Sequence, residues 1–378
     1  MKQILLTLIV FFCITVANVA AFATTKPSQP KVLLVISSEG QEGGKRPGFE
    51  MGEYAIAYMI LRDNGLQVEA ASPSGGAVEA DRFNPEADHI KGFMKDAEAV
   101  RILKNTRKTQ DIKLGEYQAI MIIGGNGVMF DLPKDAALRT LLAAHYSSGG
   151  LLAAVCHGPA AFADIKLPNG KLLVEGKRMT GFTDEEEATF GKKWAKEYPF
   201  LLETKMRANG AFWEEASLMM PKLVVDGRLI TGQNPFSTAQ TAEAIVRGLG
   251  RTPVVRTAFI EEASMQLVER WLSGEQDQVR ALLKADTKRY KTGLIGNLGV
   301  THFKAATDNN ARQNALSIML MAEPYVLHPR LALTIAEAQI ALGNHQLAKQ
   351  KLDQLLTNQT DAAIIEEVKK LLGTLPTQ

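Results

Sequence analysis

Over its first two thirds the chain alternates short apolar runs with longer amphipathic segments. Three runs are almost wholly apolar and end in small or polar residues: "KVLLVISS" at 31–38, "AIMII" at 119–123 and "LLAAV" at 151–155. Continuous hydrophobicity over so few residues is typical of strands that are covered on both faces. Residues 66–76 indicate a further strand, and residues 222–235 indicate a strand pair or β-hairpin.

Segments with apolar residues at helical spacing separate these strands. They are residues 48–65, which end in Asn-Gly, residues 133–150, the helix start "HGPAAFADI" at 157–165, and residues 236–250. Residues 77–118 are mixed and polar, which indicates short helices and loops. Strand–helix alternation with fully apolar strands predicts a mainly parallel sheet with helices on both faces. We therefore expect an α/β domain over residues 31–251.

After about residue 252 the β-branched runs stop, and helical periodicity continues to the end of the chain. Two segments place small or apolar residues where a helix–turn–helix repeat needs them: Gly299, Ala315, Met319 and Ala322 in the first, and Ala336, Gly343, Ala348 and Leu352 in the second. Together they resemble two tetratricopeptide-like units of about 34 residues each. Residues 252–378 are therefore expected to form a smaller all-α helical-repeat domain.

The first residues resemble a secretory signal peptide. Lys2 precedes the apolar stretch "ILLTLIVFFCITVANVA", and "AFA" ends at Ala23 as a small-x-small cleavage site. A membrane anchor is the alternative, because the apolar run is near the lower length limit for spanning a bilayer. We expect a signal peptide at 1–23, cleavage after Ala23, a linker at 24–30, and a periplasmic or secreted protein that keeps no membrane segment.

The net charge and the cysteine content exclude one class of partner and one kind of cross-link. The chain has 378 residues, and 43 Lys and Arg against 41 Asp and Glu give a net charge of +2, so no nucleic-acid partner is expected. The chain has two cysteines, and Cys13 would leave with the signal peptide. The mature protein would then hold Cys156 as its single thiol, which cannot form an internal disulfide.

Cys156 lies where reactive residues of an open parallel sheet are found, at the carboxyl end of an apolar strand. A sharp strand-to-helix turn at Gly158-Pro159 would expose the thiol and direct it toward a helix N-terminus, as in a nucleophile elbow. His157 could exchange a proton with this thiol if a carboxylate orients it. The glycines Gly124 and Gly125 end another strand, and the backbone N–H groups of Gly125 and His157 are candidates for an oxyanion hole.

Two acidic groups could supply the carboxylate. Glu50 and Glu53 lie near the start of the first helix, and the segment "MTGFTDEEEATFG" supplies Asp184 through Glu187. Acidic residues at a helix start are also explained by the helix dipole alone. The residues by themselves leave the choice open.

Six stretches in the chain resemble the ThiJ/PfpI superfamily, and most closely its glyoxalase III and chaperone-type branch, which is related to class I glutamine amidotransferases. They are "GFEMGEYAIAY", "SPSGG", "GGNGVMFDLP", "AVCHGPAA", "MTGFTDEEEATFG" and "VVDGRLITGQNPFSTAQTA". The resemblance covers about residues 31–250. It implies a flavodoxin-like α/β sandwich with a Cys-His-acid site and neither cofactor nor metal. The helical residues after 252 are not part of the usual family architecture.

The resemblance also implies roles for single residues. Cys156 matches the nucleophile, His157 the adjacent histidine, and Glu53 the acid that lies against the thiol. Glu187 fits the acid that orients the histidine, and Glu186 is its rival. The family usually has His at the position of Asn126 and Pro at the position of Ala57. Asn126, Gly124 and Glu186 are thus candidates for the substrate pocket.

The expected activity is that of a glutathione-independent glyoxalase, which converts a small 2-oxoaldehyde such as methylglyoxal to a 2-hydroxy acid. Amide or peptide hydrolysis and protein deglycation would use the same site. A non-enzymatic holdase or scaffold that acts through residues 252–378 is a third alternative. These residues could bind a protein or peptide partner or simply pack on the α/β domain, and a homodimer stays open.

Overall fold

The computed structural model describes residues 29–40, 45–358 and 360–376. The expected signal peptide and most of the expected linker lie outside these residues. The strands are β1 Lys31–Val35, β2 Phe49–Glu50, β3 Gln67–Ser72, β4 Ala80–Arg82, β5 Arg107–Lys108, β6 Ala119–Ile122, β7 Leu151–Val155, β8 Arg178–Met179, β9 Phe212–Trp213, β10 Leu223–Asp226 and β11 Leu229–Gly232. The helices up to residue 250 are α1 Met51–Asp63, α2 Asp88–Met94, α3 Ala97–Lys104, α4 Val128–Asp131, α5 Ala136–Ser147, α6 Asp184–Glu186, α7 Lys192–Ala195, α8 Leu202–Ala208 and α9 Thr238–Gly248.

Seven strands form one sheet in the order β10-β11-β7-β6-β1-β3-β5. All neighbours pair in parallel except β10 and β11, which form the predicted antiparallel pair. The chain runs from β1 to β3 on one side, and β6 lies on the other side of β1. Ligands in such sheets bind beyond the carboxyl ends of the strands at this kind of switch point. The topology therefore brings the residues that follow β6, β7 and β11 to one edge.

The strands are apolar because helices cover both faces of the sheet. Every residue of β6, β7 and β11 is buried, as are four of the five residues of β1. Right-handed crossovers place α1 and α5 on opposite faces, since β1 leads to β3 toward one edge and β6 leads to β7 toward the other. Helix α9 packs on α1 and on β7 and β11. The α/β class and the parallel sheet expected from the sequence are thus confirmed.

Two local expectations differ in detail. The segment after Cys156 is a single 3-10 turn at Gly158–Phe162 instead of the start of a longer helix. Residues 77–118 contain two small strands as well as α2 and α3, and β4 pairs with β2. Such strands of two or three residues leave too short a pattern to detect in the sequence.

The C-terminal region is all helical, as the periodicity predicts. Its helices are α10 Ile260–Leu272, α11 Gln276–Ala285, α12 Thr292–Ala305, α13 Asn309–Ala322, α14 Pro329–Ala341, α15 His345–Asn358 and α16 Ala362–Gly373. Helices α12 and α13 pack on each other, as do α14 and α15. A Cβ atom on Gly299 would lie 2.7 Å from Met319 Cγ, so a small residue is needed where these helices meet. The tetratricopeptide-like character of the two helix pairs stays a prediction.

The helical region packs directly on the α/β domain. Met220 belongs to the buried core of α10–α14, and Ala216, Met219 and Phe236 pack against that core. The His302 ring on α12 also donates from Nε2 to the carbonyl oxygen of Leu218, at 2.6 Å. Within the part of the chain that the structure describes, no helix is both long and apolar enough to cross a membrane.

Candidate active site

The thiol of Cys156 is presented by a strained turn at the end of β7. Its φ is +59°, a left-handed conformation that a non-glycine residue adopts only when the surrounding contacts hold it. The Cys156 N–H donates to Gly232 O at 3.0 Å, and its carbonyl oxygen accepts from Phe182 N–H at 2.9 Å. These hydrogen bonds fix both sides of the residue. The backbone of a nucleophile elbow is therefore present, with Cys156 4% exposed.

His157 lies between the thiol and a carboxylate. Its Nδ1 is 3.4 Å from Cys156 Sγ, and its Nε2 is 2.7 Å from Glu187 Oε2. A carboxylate accepts the Nε2 proton, which leaves the lone pair of the neutral ring on Nδ1, facing the thiol. The ring is also held by Phe182, whose centroid is 4.5 Å away. This tautomer suits a proton acceptor for Cys156.

A π-helix over Glu187–Gly191 aims Glu187 at His157. The extra residue in this turn interrupts the α-helical spacing that begins at Asp184, and single π-turns of this kind are frequent at functional sites. Gly191 leaves room for the carboxylate, because a Cβ atom there would lie 1.6 Å from Glu187 Oε1. The small residue that ends "ATFG" thus has a steric role that its sequence position did not reveal.

Glu186 points elsewhere and has a different set of contacts. Its Oε2 accepts from Thr183 N–H at 3.0 Å, which completes a capping box. Its Oε1 accepts three hydrogen bonds of 2.9 Å, from Met219 N–H, Gln233 Nε2 and Asn234 Nδ2. The residue is fully buried, and burial raises its pKa. Glu186 therefore joins the α6 turn to the end of β11, and only Glu187 reaches His157.

Glu53 approaches the thiol from α1. Its Oε2 accepts from Gly124 N–H at 2.7 Å, and a Cβ atom on Gly124 would lie 2.7 Å from Cys156 Cβ and 2.8 Å from that oxygen. Burial raises the pKa of Glu53 well above its usual range, and the nearby Glu50 adds to this. Burial and the adjacent Glu53 raise the pKa of the Cys156 thiol as well. The pair is best satisfied by one shared proton, since two adjacent buried anions repel each other.

Two backbone N–H groups flank the thiol. Within the described residues, the N–H groups of Gly125 and His157 donate to no other protein group. Gly125 has φ +104°, and a Cβ atom on it would lie 2.5 Å from Glu50 N, so this position requires glycine. Gly125 follows β6 and His157 follows β7, so both N–H groups lie at the edge of the sheet that carries Cys156, where an oxyanion hole is expected.

A cavity of about 180 Å³ opens at the thiol. The cavity is lined by twelve residues: Glu50, Glu53, Asp81, Gly125, Asn126, Cys156, His157, Phe182, Phe190, Gly191, Met219 and Pro235. The volume lies below the range of about 300–1,000 Å³ that is usual for pockets of drug-sized ligands. Among the described residues no cluster of His, Cys, Asp or Glu is arranged to hold a metal ion. The site therefore suits a molecule of a few heavy atoms.

Asn126 is held by two residues that the sequence did not point to. Its Nδ2 donates to Asp81 Oδ2 at 2.6 Å, and its Oδ1 accepts from Tyr198 Oη at 2.5 Å. The Tyr198 ring also lies edge-on to His157, 5.9 Å between centroids. Asp81 follows a Gly-rich loop and Tyr198 follows α7, and neither position carries a local motif. They reach the site only through the tertiary fold.

The chain is similar to several known proteins over its α/β part. A glutathione-independent glyoxalase of Schizosaccharomyces pombe is 34% identical over 243 residues, which is 58% of this chain and 96% of that protein. The crystal structure of glyoxalase III from Candida albicans matches with a TM-score of 0.53 and 31% identity, over 58% of this chain and 97% of its own. The rapid encystment protein of Francisella tularensis matches with a TM-score of 0.54 and 29% identity, over 58% and 99% of the two chains.

The family profile locates the match along the chain. It covers residues 45–248, which include every residue placed above around the thiol and end before α10. The flavodoxin-like sheet, the strand-end cysteine and the matching relatives lead to the same assignment. The chain belongs to the DJ-1/PfpI family.

Proposed function

We propose that the protein is a glutathione-independent glyoxalase that converts a small 2-oxoaldehyde, with methylglyoxal as the simplest case, to the corresponding 2-hydroxy acid. The observation that carries the proposal is the hydrogen-bonded order Cys156, His157, Glu187, with Nδ1 at 3.4 Å from the thiol and Nε2 at 2.7 Å from the carboxylate. Relatives at 31–34% identity bear glyoxalase names. Their activity is the reason to test this reaction first.

In the first step, Cys156 Sγ attacks the aldehyde carbon. The S–C bond forms while the thiol proton passes to His157 Nδ1, and Glu187 stabilises the imidazolium through its bond to Nε2. The aldehyde oxygen becomes an oxyanion that the N–H groups of Gly125 and His157 would hold. Transfer of the proton from His157 to that oxygen gives a hemithioacetal on Cys156 and restores the neutral imidazole.

In the second step, a base removes the proton from the former aldehyde carbon, the electron pair forms a carbon–carbon double bond, and the neighbouring carbonyl oxygen takes up a proton to give an enediol. A proton then returns to the neighbouring carbon while the hydroxyl group on the sulfur-bearing carbon loses its proton, which gives a thioester of the 2-hydroxy acid. Glu53 and His157 are the two candidate bases, and burial raises the pKa of Glu53, which makes its carboxylate a stronger base than an exposed one. Water then cleaves the thioester, which releases the acid and restores the thiol without any redox partner.

The size of the cavity favours this reaction over peptide hydrolysis. About 180 Å³ is room enough for a three-carbon aldehyde and too small to enclose an extended peptide. Glu50, Glu53 and Asp81 also line it, so a neutral aldehyde would meet less repulsion than an anionic substrate. The anionic product would be disfavoured in the same cavity, which would speed its release.

The test is lactate formation by the purified protein from methylglyoxal without glutathione, with Cys156→Ala as the matched control. We expect lactate from the wild type and only the background level from the variant. A wild-type rate no higher than that of Cys156→Ala would refute the proposal. Suppression of protein aggregation that persists in Cys156→Ala would favour the holdase alternative instead.

We also propose that the protein acts after export, with residues 1–23 removed. The support is the charged, apolar and small-x-small order that ends at Ala23. A small periplasmic aldehyde scavenger would meet its substrate before the substrate reaches the cytoplasm. The mass of the exported protein tests this proposal, because cleavage leaves a chain that begins at residue 24.

A further inference from the structure

One loop segment lies between the helical region and the active-site cavity. It spans residues 216–220, which we call the wall segment. Met219 of this segment lines the cavity together with Cys156. Its neighbour Met220 is buried in the core formed by α10–α14. The same five residues thus have the active site on one side and the helical region on the other.

The helical region holds the wall segment by packing and by one partly buried hydrogen bond. Met220 is 6% exposed within the helical core, and Ala216 and Met219 pack against that core. On α12, His302 Nε2 donates to Leu218 O at 2.6 Å. A backbone carbonyl that lost this partner in a buried position would carry a desolvation penalty. The wall segment is therefore fixed from the C-terminal side.

On the other side, the wall segment is tied to the acid turn of the active site. Met219 has φ +58°, a conformation that its contacts must maintain. Its N–H donates to Glu186 Oε1 at 2.9 Å, and Glu186 immediately precedes Glu187, the partner of His157. Gln233 at the end of β11 exchanges hydrogen bonds with Ala216 and donates to the same Glu186 oxygen. A shift of the wall segment would thus reach the acid that lies next to Glu187.

A second stretch of the cavity wall has the same arrangement. Pro235 lines the cavity, and the next residue, Phe236, packs against the helical core. Helix α10 contacts this 3-10 turn at Pro235–Ser237. Two separate parts of the cavity wall are therefore backed by the C-terminal helices.

From these contacts we infer that the C-terminal helical region is a positioning element of the cysteine site, which holds Met219 and Pro235 as the rigid wall of the cavity. Loosening the contact between α12 and the wall segment would open the cavity and expose Cys156, and the effect would be on substrate binding more than on turnover. The inference rests on the proposed function only in taking Cys156 as the reactive group. It also implies that removal of residues 252–378 would damage the site instead of merely abolishing partner binding.

The experiment measures how fast N-ethylmaleimide modifies Cys156 in the full chain, followed by mass spectrometry of the Cys156 peptide so that Cys13 does not interfere. His302→Ala removes the hydrogen bond to Leu218, and His302→Gln keeps a side-chain N–H donor. Met220→Ala removes the side chain by which the wall segment is buried in the helical core. Met321→Ala makes the same truncation in the same helical core, at a buried residue of α13.

We expect His302→Ala and Met220→Ala to react at least about fivefold faster than the wild type, because local opening sets the rate for a buried thiol. His302→Gln and Met321→Ala should stay within about twofold. With methylglyoxal, the first two variants should raise KM and leave kcat nearly unchanged. The inference would be overturned if Met321→Ala accelerated the modification of Cys156 as much as Met220→Ala does. It would also be overturned if neither Met220→Ala nor His302→Ala reacted faster than the wild type. Alkylation needs no aldehyde turnover, so it tests the inference even if the proposed reaction is wrong.

Discussion

Gly191→Ala should disable the active site without harming the fold. Gly191 has φ −71° and ψ −31°, ordinary right-handed helical values that alanine adopts readily. Alanine is also the better helix former, by about 1 kcal/mol. The obstacle is the Glu187 side chain, since the new Cβ atom would lie 1.6 Å from Oε1 and 2.5 Å from Cδ.

The size of the effect follows from that distance. Non-bonded atoms need about 3.5 Å, so the carboxylate must move by roughly 2 Å. Such a movement breaks the 2.7 Å bond between Glu187 Oε2 and His157 Nε2. A hydrogen bond to a charged group contributes about 1.5–3 kcal/mol. If that energy is lost from the transition state, kcat/KM falls by about 10- to 150-fold.

The assay is lactate formation at several methylglyoxal concentrations, together with thermal unfolding. We expect a lower kcat, an unchanged or higher Tm, and a loss comparable to that of Glu187→Ala. Gly191→Ala added to Glu187→Ala should change kcat/KM by less than about twofold, because the carboxylate that clashes is already gone. The reasoning fails if Gly191→Ala keeps wild-type activity, or if the two substitutions multiply each other's effects.

Three other predictions concern the acids and the signal segment. Glu186→Gln should lower Tm, because one carboxylate oxygen of Glu186 accepts three hydrogen bonds. Glu187→Gln should lower kcat with little change in Tm. Thermal unfolding and turnover measured on both variants separate the two roles, and the reverse pattern would exchange them. Because the pKa of Glu53 is raised in the folded protein, its stabilising contribution is complete below about pH 4.5 and is lost as the pH rises through the folded-state pKa. Glu53→Gln should therefore flatten the pH dependence of Tm above about pH 4.5. Parallel curves of Tm against pH for the variant and the wild type would contradict this. Protein recovered after export should have the mass of a chain that begins at residue 24, and retention of Cys13 in the exported protein would be incompatible with the expected cleavage.

The local sequence determined the architecture and the position of Cys156 and His157 in it. Short continuous apolar runs bounded by turn residues are typical of strands covered on both faces, and their alternation with helical segments predicted the parallel sheet. Cys156 and His157 are adjacent in sequence, and the apolar run directly before them predicted that they lie at the end of a strand. The helical periodicity after residue 252 likewise predicted an all-helical region, which the structure contains.

For the acid that meets His157, the resemblance favoured Glu187 over Glu186, and the tertiary structure shows the contact. The tertiary structure alone decided which residues hold Asn126 and where the helical region packs. Glu186 and Glu187 are neighbours with the same side chain, and a π-turn rather than an α-turn directs one to His157 and the other to the end of β11. The contact between His302 and Leu218 joins residues 84 positions apart. Local pattern sets which elements form, because helical spacing and strand hydrophobicity depend on residues close in sequence. The direction of one side chain and the docking of the helical region depend instead on packing among distant residues. Those contacts leave no periodic signature in the chain.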